Sequence, residues 1–168
     1  KDIDAPGLNT LEGFWQHGGY SALEKALKEY QPEDLVEMIK KSGLRGRGGA
    51  GFPTGMKWGF LAKAEPRYLC CNCDESEPGT FKDRMIMEKN PHLLVEGVIL
   101  TSYACRVSTA FIYVRGELAM AGRQVSRAIQ EAYNEANGIT PESIVRPLDM
   151  SLARIIEADS TDLTGGES

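Results

Sequence analysis

The sequence predicts an α/β fold with a mainly parallel sheet. Two short strand-like runs carry the prediction: RYLCCN (Arg67 to Asn72) and TAFIYVRG (Thr109 to Gly116), the second β-branched and aromatic. A helical stretch separates them and another follows. Strand, helices, strand, helix is a βαβ pattern, and such crossovers join parallel strands. Composition agrees: 42% hydrophobic and 26% charged over 168 residues is enough for the core of one domain.

The elements follow in order. Residues 1–18 read as irregular, with Pro6, Gly7, Gly13, Gly18 and Gly19. YSALEKALKEY, from Tyr20, spaces Leu23 and Leu27 four apart, as an amphipathic helix does. EDLVEMIKKSG, after Pro32, places acids in its first turn and lysines in its last, which suits the helix dipole. Gly43 is a natural cap. A glycine-rich loop comes next, then a short helix near Gly55. RYLCCN is a strand, and CDESEPGTFKDR is a loop with a turn at Glu77-Pro78-Gly79. A helix begins near Asp83 and restarts at Pro91. It puts Leu93, Val95, Val98, Leu100 and Tyr103 into a mostly buried helix. The second strand and a long helix to about Asn137 complete a domain over 19–139. The tail 140–168 has Pro141, Pro147 and an acidic, glycine-containing end, and fits no core element.

Net charge is -5, which disfavours a nucleic-acid surface. No apolar run approaches the length of a membrane span. KDIDAPGLNT has no apolar segment behind its lysine, so no signal peptide is visible, and without an initiator methionine the chain reads as processed or cut. Cys70, Cys71 and Cys73 crowd together and Cys105 stands apart, unlike a secreted disulfide framework, so a reducing compartment is the simpler reading.

The loop SGLRGRGGAGFPTGMKWGF (Ser42 to Phe60) holds the chemistry. Gly46-Arg47-Gly48-Gly49-Ala50-Gly51 matches G-x-G-x-x-G, but a helix precedes it where the dinucleotide fingerprint needs a strand. Lys57 is followed by Trp58, so it is no phosphate loop of the GK[ST] type either. The residue types still suit an anion. Glycines let backbone N–H groups approach it, and Arg47 and Lys57 supply charge-assisted hydrogen bonds. Phe52, Trp58 and Phe60 are candidates to stack on a planar ring. The bland alternative is a surface loop with incidental charge.

Asn72, Asp74, Glu75 and Glu77 lie just past a strand end, where α/β sheets place ligands. They would accept hydrogen bonds from sugar hydroxyls or ring N–H groups. A nucleotide or flavin would satisfy both loops, while a solvated acidic turn is the alternative. Cys70-Cys71-Asn72-Cys73 contains C-x-x-C, so a redox dithiol or an iron–sulfur site is weighed against packed, reduced cysteines. Packed cysteines are favoured, because Cys70 and Cys71 point to opposite faces of the strand. His17 and His92 have no metal-ligand partner at useful spacing and read as structural or surface residues.

GLRGRGGAGFPTGMKWGF, CNCDESEPGTFKDRMIMEKNPHLLVEG and FIYVRGE together resemble the flavin-bearing, NADH-oxidising subunit of respiratory complex I, and the related subunits of NAD-linked hydrogenases and formate dehydrogenases. The resemblance implies a Rossmann-like FMN-binding domain in an NADH dehydrogenase. Hydride would pass from NADH to FMN, and electrons would leave through iron–sulfur clusters of partner subunits. It implies that Gly46, Arg47, Gly48, Gly49 and Lys57 cradle FMN, and that Asn72, Asp74 and Glu75 hold its ribityl chain and ring edge. Phe52 and Phe60 match positions that stack on the NADH adenine, and Glu77 matches an acid near the nicotinamide. The expected setting is peripheral to the inner membrane on the cytoplasmic side, or the matrix in a eukaryote. No direct membrane span and no nucleic-acid partner are expected.

The family has a small residue, such as alanine, where this chain has Cys73. It also continues into an I-C-G-E-E segment, a ubiquitin-like region and an S-C-G-x-C-x-P-C-R cluster motif. Those are missing here, so no iron–sulfur cluster is expected on this chain. The chain reads as a fragment, a truncated paralogue or an early-terminated frame, with little turnover of its own.

Overall fold

In the computed structural model, which describes residues 3–140, two parallel strands carry the architecture. β1 (Tyr68–Cys73) pairs with β2 (Thr109–Val114) from Tyr68 opposite Thr109 to Cys73 opposite Val114. Helices α5 (Lys82–Lys89) and α6 (Pro91–Ala104) form the crossover between them, and α7 (Ala119–Ala136) follows β2. α1 (Leu11–Gln16), α2 (Ser21–Glu29), α3 (Pro32–Ser42) and α4 (Thr54–Gly59) precede the sheet. This is the expected mixed class with a small parallel sheet. The tail 141–168 lies outside the described residues.

Alternation sets the faces of the sheet. Leu69, Cys71 and Cys73 with Ile112 and Val114 turn toward the helices, while Tyr68, Cys70, Asn72, Phe111 and Tyr113 are exposed on the other side. Cys73, Met87, Ala121 and Val125 form one buried cluster beneath β1, lined by Cys71, Leu94, Ile112, Val114 and Leu118. Ala121, Val125 and Ala128 give α7 a narrow buried stripe whose small side chains allow close approach to α5 and α6. Ala26, Leu35 and Ala104 form a second cluster with Tyr30, Val36, Trp58, Leu100 and Tyr103, where α2, α3 and α4 meet the far end of α6.

α6 touches α1, α2, α3, α5, α7 and β2. Its buried residues include two that hydropathy places outside, His92 and Glu96, whereas Leu93 is 48% exposed. Most of the helix is buried or half-buried, as expected, but Leu93 is not. The helix is rotated so that its polar first turn meets α1, α2 and α7. The cause is pairing, because buried polar groups persist where they are hydrogen-bonded. His92 Nε2 lies 3.2 Å from a Glu131 carboxylate oxygen, and Tyr20 Oη lies 3.0 Å from His92 Nδ1. A carboxylate only accepts, which assigns the ring proton to Nε2 and leaves Nδ1 to accept from the tyrosine. Glu96 accepts the Leu23 N–H at 3.1 Å. Phe14 stacks on the imidazole with centroids 5.7 Å apart.

Phe14 sits on α1, inside the segment read as irregular. That reading gives way to a short helix capped by Thr10, whose hydroxyl accepts the Gly13 N–H at 3.2 Å. Two of the glycines that suggested irregularity are packing glycines: a Cβ at Gly13 would lie 2.1 Å from the Gly7 carbonyl oxygen, and one at Gly19 2.1 Å from the Phe14 ring, while Gly7 and Gly18 take positive φ in turns. In α2 the buried residue is Ala26, and Leu27 is exposed, so the Leu23/Leu27 pair does not mark the core face.

α3 ends at Gly43 with φ +69°, the left-handed cap its sequence suggests. Its first turn is tied to the end of α6 by Arg106 and Glu33 at 2.8 Å. α4 then folds back onto α3. At the crossing Gly55 is buried, and a Cβ there would fall 2.4 Å from the Lys40 backbone nitrogen. Gly55→Ala should therefore lower unfolding free energy by about 1–3 kcal/mol, the range for overpacking, read from chemical denaturation.

Burial holds the His92 imidazole below its ordinary value, although the Glu131 hydrogen bond opposes this. The group titrates near 6.5 when unfolded, so its contribution is complete above about 6.5 and is lost as pH falls. The melting temperature should drop as pH goes from about 7 to 5, and His92→Gln should flatten that dependence. An unchanged slope in the variant would place the acid sensitivity elsewhere.

Candidate functional site

The glycine loop leaves α3 and returns to α4 closed at its base. Arg45 and Pro53 form an isolated antiparallel bridge. Thr54 N–H donates to the Leu44 carbonyl at 2.8 Å, Gly46 N–H donates to Phe52 at 2.9 Å, and Arg45 Nη1 donates to the Gly51 carbonyl at 2.9 Å. Gly49 and Gly51 take φ of +100° and +60°, a region other residues adopt only with strain. A Cβ at Gly48, Gly49 or Gly51 would meet nothing within 4 Å. Crowding within this chain therefore does not require glycine there. Its effect is to leave the backbone N–H groups bare toward the outside.

That open side faces a cavity of about 460 Å³, within the size range of small-molecule sites. Gly46, Gly48, Ala50, Gly51 and Phe52 form one wall and Thr54, Lys57, Trp58 and Leu61 a second. Tyr68 and Leu69 from β1, with Thr101, Cys105 and Val107 from the α6–β2 junction, form the floor. Of the sequence-predicted residues the cavity gathers Gly46, Gly48, Phe52, Lys57 and Trp58. Arg47 and Gly49 sit at the exposed tip of the loop. Phe60 is 71% exposed, with its ring 6.3 Å from that of Phe52 and tilted by 55°. Sequence reasoning missed Tyr68, Leu69, Thr101, Cys105 and Val107, which carry no local signal because tertiary packing alone brings them to the loop.

The acidic residues gather at the other end of β1. Asn72 Oδ1 accepts the Asp74 N–H at 2.9 Å, a tight turn leaving the strand. Asp74 Oδ1 is buried without a hydrogen-bond partner. Glu75 is engaged within the chain: its two carboxylate oxygens accept the Asp83 and Arg84 N–H groups, each at 3.2 Å, and so cap α5. Glu77 is exposed and opens a turn in which Gly79 has φ +81° and Thr80 N–H returns to the Glu77 carbonyl at 3.1 Å. From Leu69, on the cavity floor, to Asn72 is about 10 Å along an extended strand. A ligand serving both loops must be elongated.

The donor set fits a flavin mononucleotide. Bare glycine N–H groups and Lys57 suit a phosphate, and Trp58, Tyr68 and Leu69 offer ring-sized apolar surface. The orphaned Asp74 oxygen awaits a donor, since a buried polar atom without one is destabilising. A larger cavity of about 1060 Å³, between β2, α6 and α7, is lined mainly by apolar side chains such as Val98, Ile112 and Ile129 and holds none of these residues. Among the described residues no group of three or more His, Cys, Asp or Glu side chains could hold a metal ion.

The chain has known relatives. It is 55% identical over 135 residues to a NADH-quinone oxidoreductase subunit of Rhizobium meliloti, an alignment covering 79% of this chain and 32% of that protein. It is 54% identical over 134 residues to the corresponding NADH-quinone oxidoreductase subunit of Aquifex aeolicus, covering 79% and 31%. The chain thus spans about a third of the length of these curated relatives. Among solved structures it is similar to the NAD+-reducing [NiFe]-hydrogenase in its air-oxidized state, with TM-score 0.60 and 34% identity over 82% of this chain and 22% of that one. The H2-reduced state gives TM-score 0.58 and 40% identity over 64% and 19%. The family model described as the Nuo51 FMN-binding domain matches residues 39–160, running past Thr140 into the tail that sequence reading left unassigned. That match takes in most of the chain, from the C-terminal half of α3 onward, and the chain belongs to the Nuo51 FMN-binding domain family.

Proposed function

We propose that this chain is the FMN-binding portion of an NADH-oxidising flavoprotein subunit, working within a larger electron-transfer complex. The observation that carries the reading is the cavity in which bare glycine backbone, Lys57 and an aromatic wall converge, within a chain of the FMN-binding family. Arg47, Gly48, Gly49 and Lys57 hold the phosphate, and Gly46, whose N–H is committed to the Phe52 carbonyl, fixes the base of that cradle. Asn72 and Asp74 receive the hydroxylated chain and the ring edge. Glu75 shapes their loop by capping α5. Phe52 and Phe60, neighbours at the mouth, stack on the adenine of NADH. Glu77, in its exposed turn, lies on the nicotinamide side.

FMN, when bound, supplies a centre that takes up two electrons from a hydride donor and releases them singly. The protein contributes position. Glycine N–H groups fix the phosphate without a side chain intervening. The Asp74 oxygen selects a donor from the ligand and thereby fixes its register along β1. Apolar side chains at Trp58, Leu61 and Leu69 restrict water on the inner side. The relatives' names describe quinone reductases and hydrogenases, so the proposed partners are iron–sulfur subunits of an NADH-oxidising assembly. Its proposed place is peripheral to the membrane, on the cytoplasmic side or in the matrix. No described helix is long and apolar enough to cross a membrane.

Titration of FMN with the purified chain, followed by quenching of flavin fluorescence, tests the phosphate assignment. Arg47→Ala or Lys57→Ala should weaken binding by about 1.5–3 kcal/mol, roughly 10- to 150-fold. Unchanged affinity in both variants would overturn it. In the full-length relative context, a Glu77→Gln substitution should keep flavin content and lower the rate of NADH oxidation. Loss of flavin would make Glu77 part of the cofactor cradle instead.

A further inference from the structure

β1 presents two thiols on one face. Cys71 and Cys73 are separated by one residue, so both turn inward while Cys70 and Asn72 turn out. Their sulfurs are 3.9 Å apart. Two residues of extended strand span about 6.6 Å between Cα atoms, inside the usual disulfide range of about 4.4–6.8 Å. A disulfide also needs Cβ atoms about 3.5–4.5 Å apart, so closing the pair puckers β1 at Asn72 and draws Cys71 and Cys73 together.

The two sites are unequal. Cys73 is 4% exposed and packs against Met87, Ala121 and Val125. Cys71 is half-buried and lines a separate cavity of about 340 Å³ with Leu69, Ile86, Leu93 and Leu94. A small oxidant in that cavity reaches Cys71 and not Cys73. The hydrogen bond between the sulfurs adds polarity in the same sense. It draws the Cys71 thiol down to about 7, while burial and a nearby Asp83 oppose the shift. The same bond, with burial, pushes Cys73 well up. Thiolate is the reactive form, so the accessible thiol is also the nucleophilic one.

We propose that Cys71 and Cys73 are a peroxide-sensing pair that closes to an intrastrand disulfide. The Cys71 thiolate attacks one oxygen of a hydroperoxide, breaking the O–O bond. This gives a sulfenic acid and, after protonation, water (or an alcohol from an organic peroxide). The Cys73 sulfur then attacks the sulfenic sulfur, and its proton leaves with the hydroxyl as a second water. Two thiols lose two electrons and two protons, and the peroxide takes up both. Cys70, on the opposite face, and Cys105, beside Arg67 at the start of the sheet, stand outside the pair.

Closure has a local consequence. Asn72 lies between the two thiols and Asp74 follows them, so drawing the sulfurs together shifts the turn in which Asn72 accepts from Asp74. The oxidised chain should bind FMN more weakly, a consequence that rests on the function proposed above.

The test treats the full 168-residue chain with hydrogen peroxide, blocks free thiols and measures the mass of the tryptic peptide starting at Tyr68. The parent and Cys70→Ser should each lose two hydrogens, reversed by dithiothreitol. Cys73→Ala should not lose them, and should leave a sulfenic acid on Cys71 that dimedone traps. Alanine suits the small buried site, and an unchanged melting curve in Cys73→Ala establishes that its fold is kept. Should the melt shift, the Cys70→Ser comparison still decides. Two hydrogens lost from the parent but not from Cys70→Ser would overturn the pairing, as would free Cys71 and Cys73 after Cys70 has oxidised. FMN titration of the reduced and oxidised chains follows. Binding by neither form would count against the flavin reading alone, because the masses report the disulfide independently.

Discussion

A fully buried imidazole on α6 organises this molecule. His92 is held from Tyr20 on one side and Glu131 on the other, with Phe14 against its ring, and so fixes α1, α2 and α7 to a single helix turn. An unpaired imidazole in that position would lose hydrogen-bonding water with nothing in return, at a cost on the order of 1–3 kcal/mol. The pairing therefore dictates the rotation of α6, and the rotation dictates the rest. It turns Leu93 outward to the cavity beside Cys71, and places Ala104 and Leu100 at the far end where α2, α3 and α4 assemble. The cavity floor at Thr101 and Cys105 lies at the same end.

The glycine loop depends on that chain of contacts at one remove. Its two ends are carried by α3 and α4, and Gly55 lets α4 lie directly on the α3 backbone at Lys40. With the base fixed by the Arg45–Pro53 bridge and its neighbouring hydrogen bonds, the tip can remain free of internal contacts and still point at one place. Glycine thus serves opposite ends in this chain: Gly13 and Gly55 allow backbone to touch backbone, whereas Gly48 and Gly49 keep backbone uncovered.

The sheet has a covered and an uncovered face. Helices α5, α6 and α7 pack on the side of Cys71, Cys73, Ile112 and Val114, while Tyr68, Phe111 and Tyr113 stand exposed on the other, with Tyr68 and Phe111 ring centroids 6.4 Å apart. Parallel sheets ordinarily bury both faces.

The sequence by itself determined the elements whose causes are local. α3 was legible because its acids, lysines and terminal Gly43 each act within one turn, and β1 and β2 because their runs are short and bounded. The Glu77–Thr80 turn was legible because proline and glycine set its angles. The proposed anion-binding role of the loop was also drawn from the sequence, since it rests on residue types, glycine and lysine, that are read without the fold. Tertiary structure alone decided the rest. The helix in the supposedly irregular start forms because Phe14 finds a buried partner far along the chain. The same partner rotates α6 against its hydropathy. Glu75 reads as one more acid in the sequence, and only the fold turns it onto the first N–H groups of α5. Tyr68, Leu69 and Cys105 become a cavity floor only when the sheet meets the glycine loop. In each case the deciding free energy comes from a contact between residues distant in sequence, and no local propensity encodes such a contact.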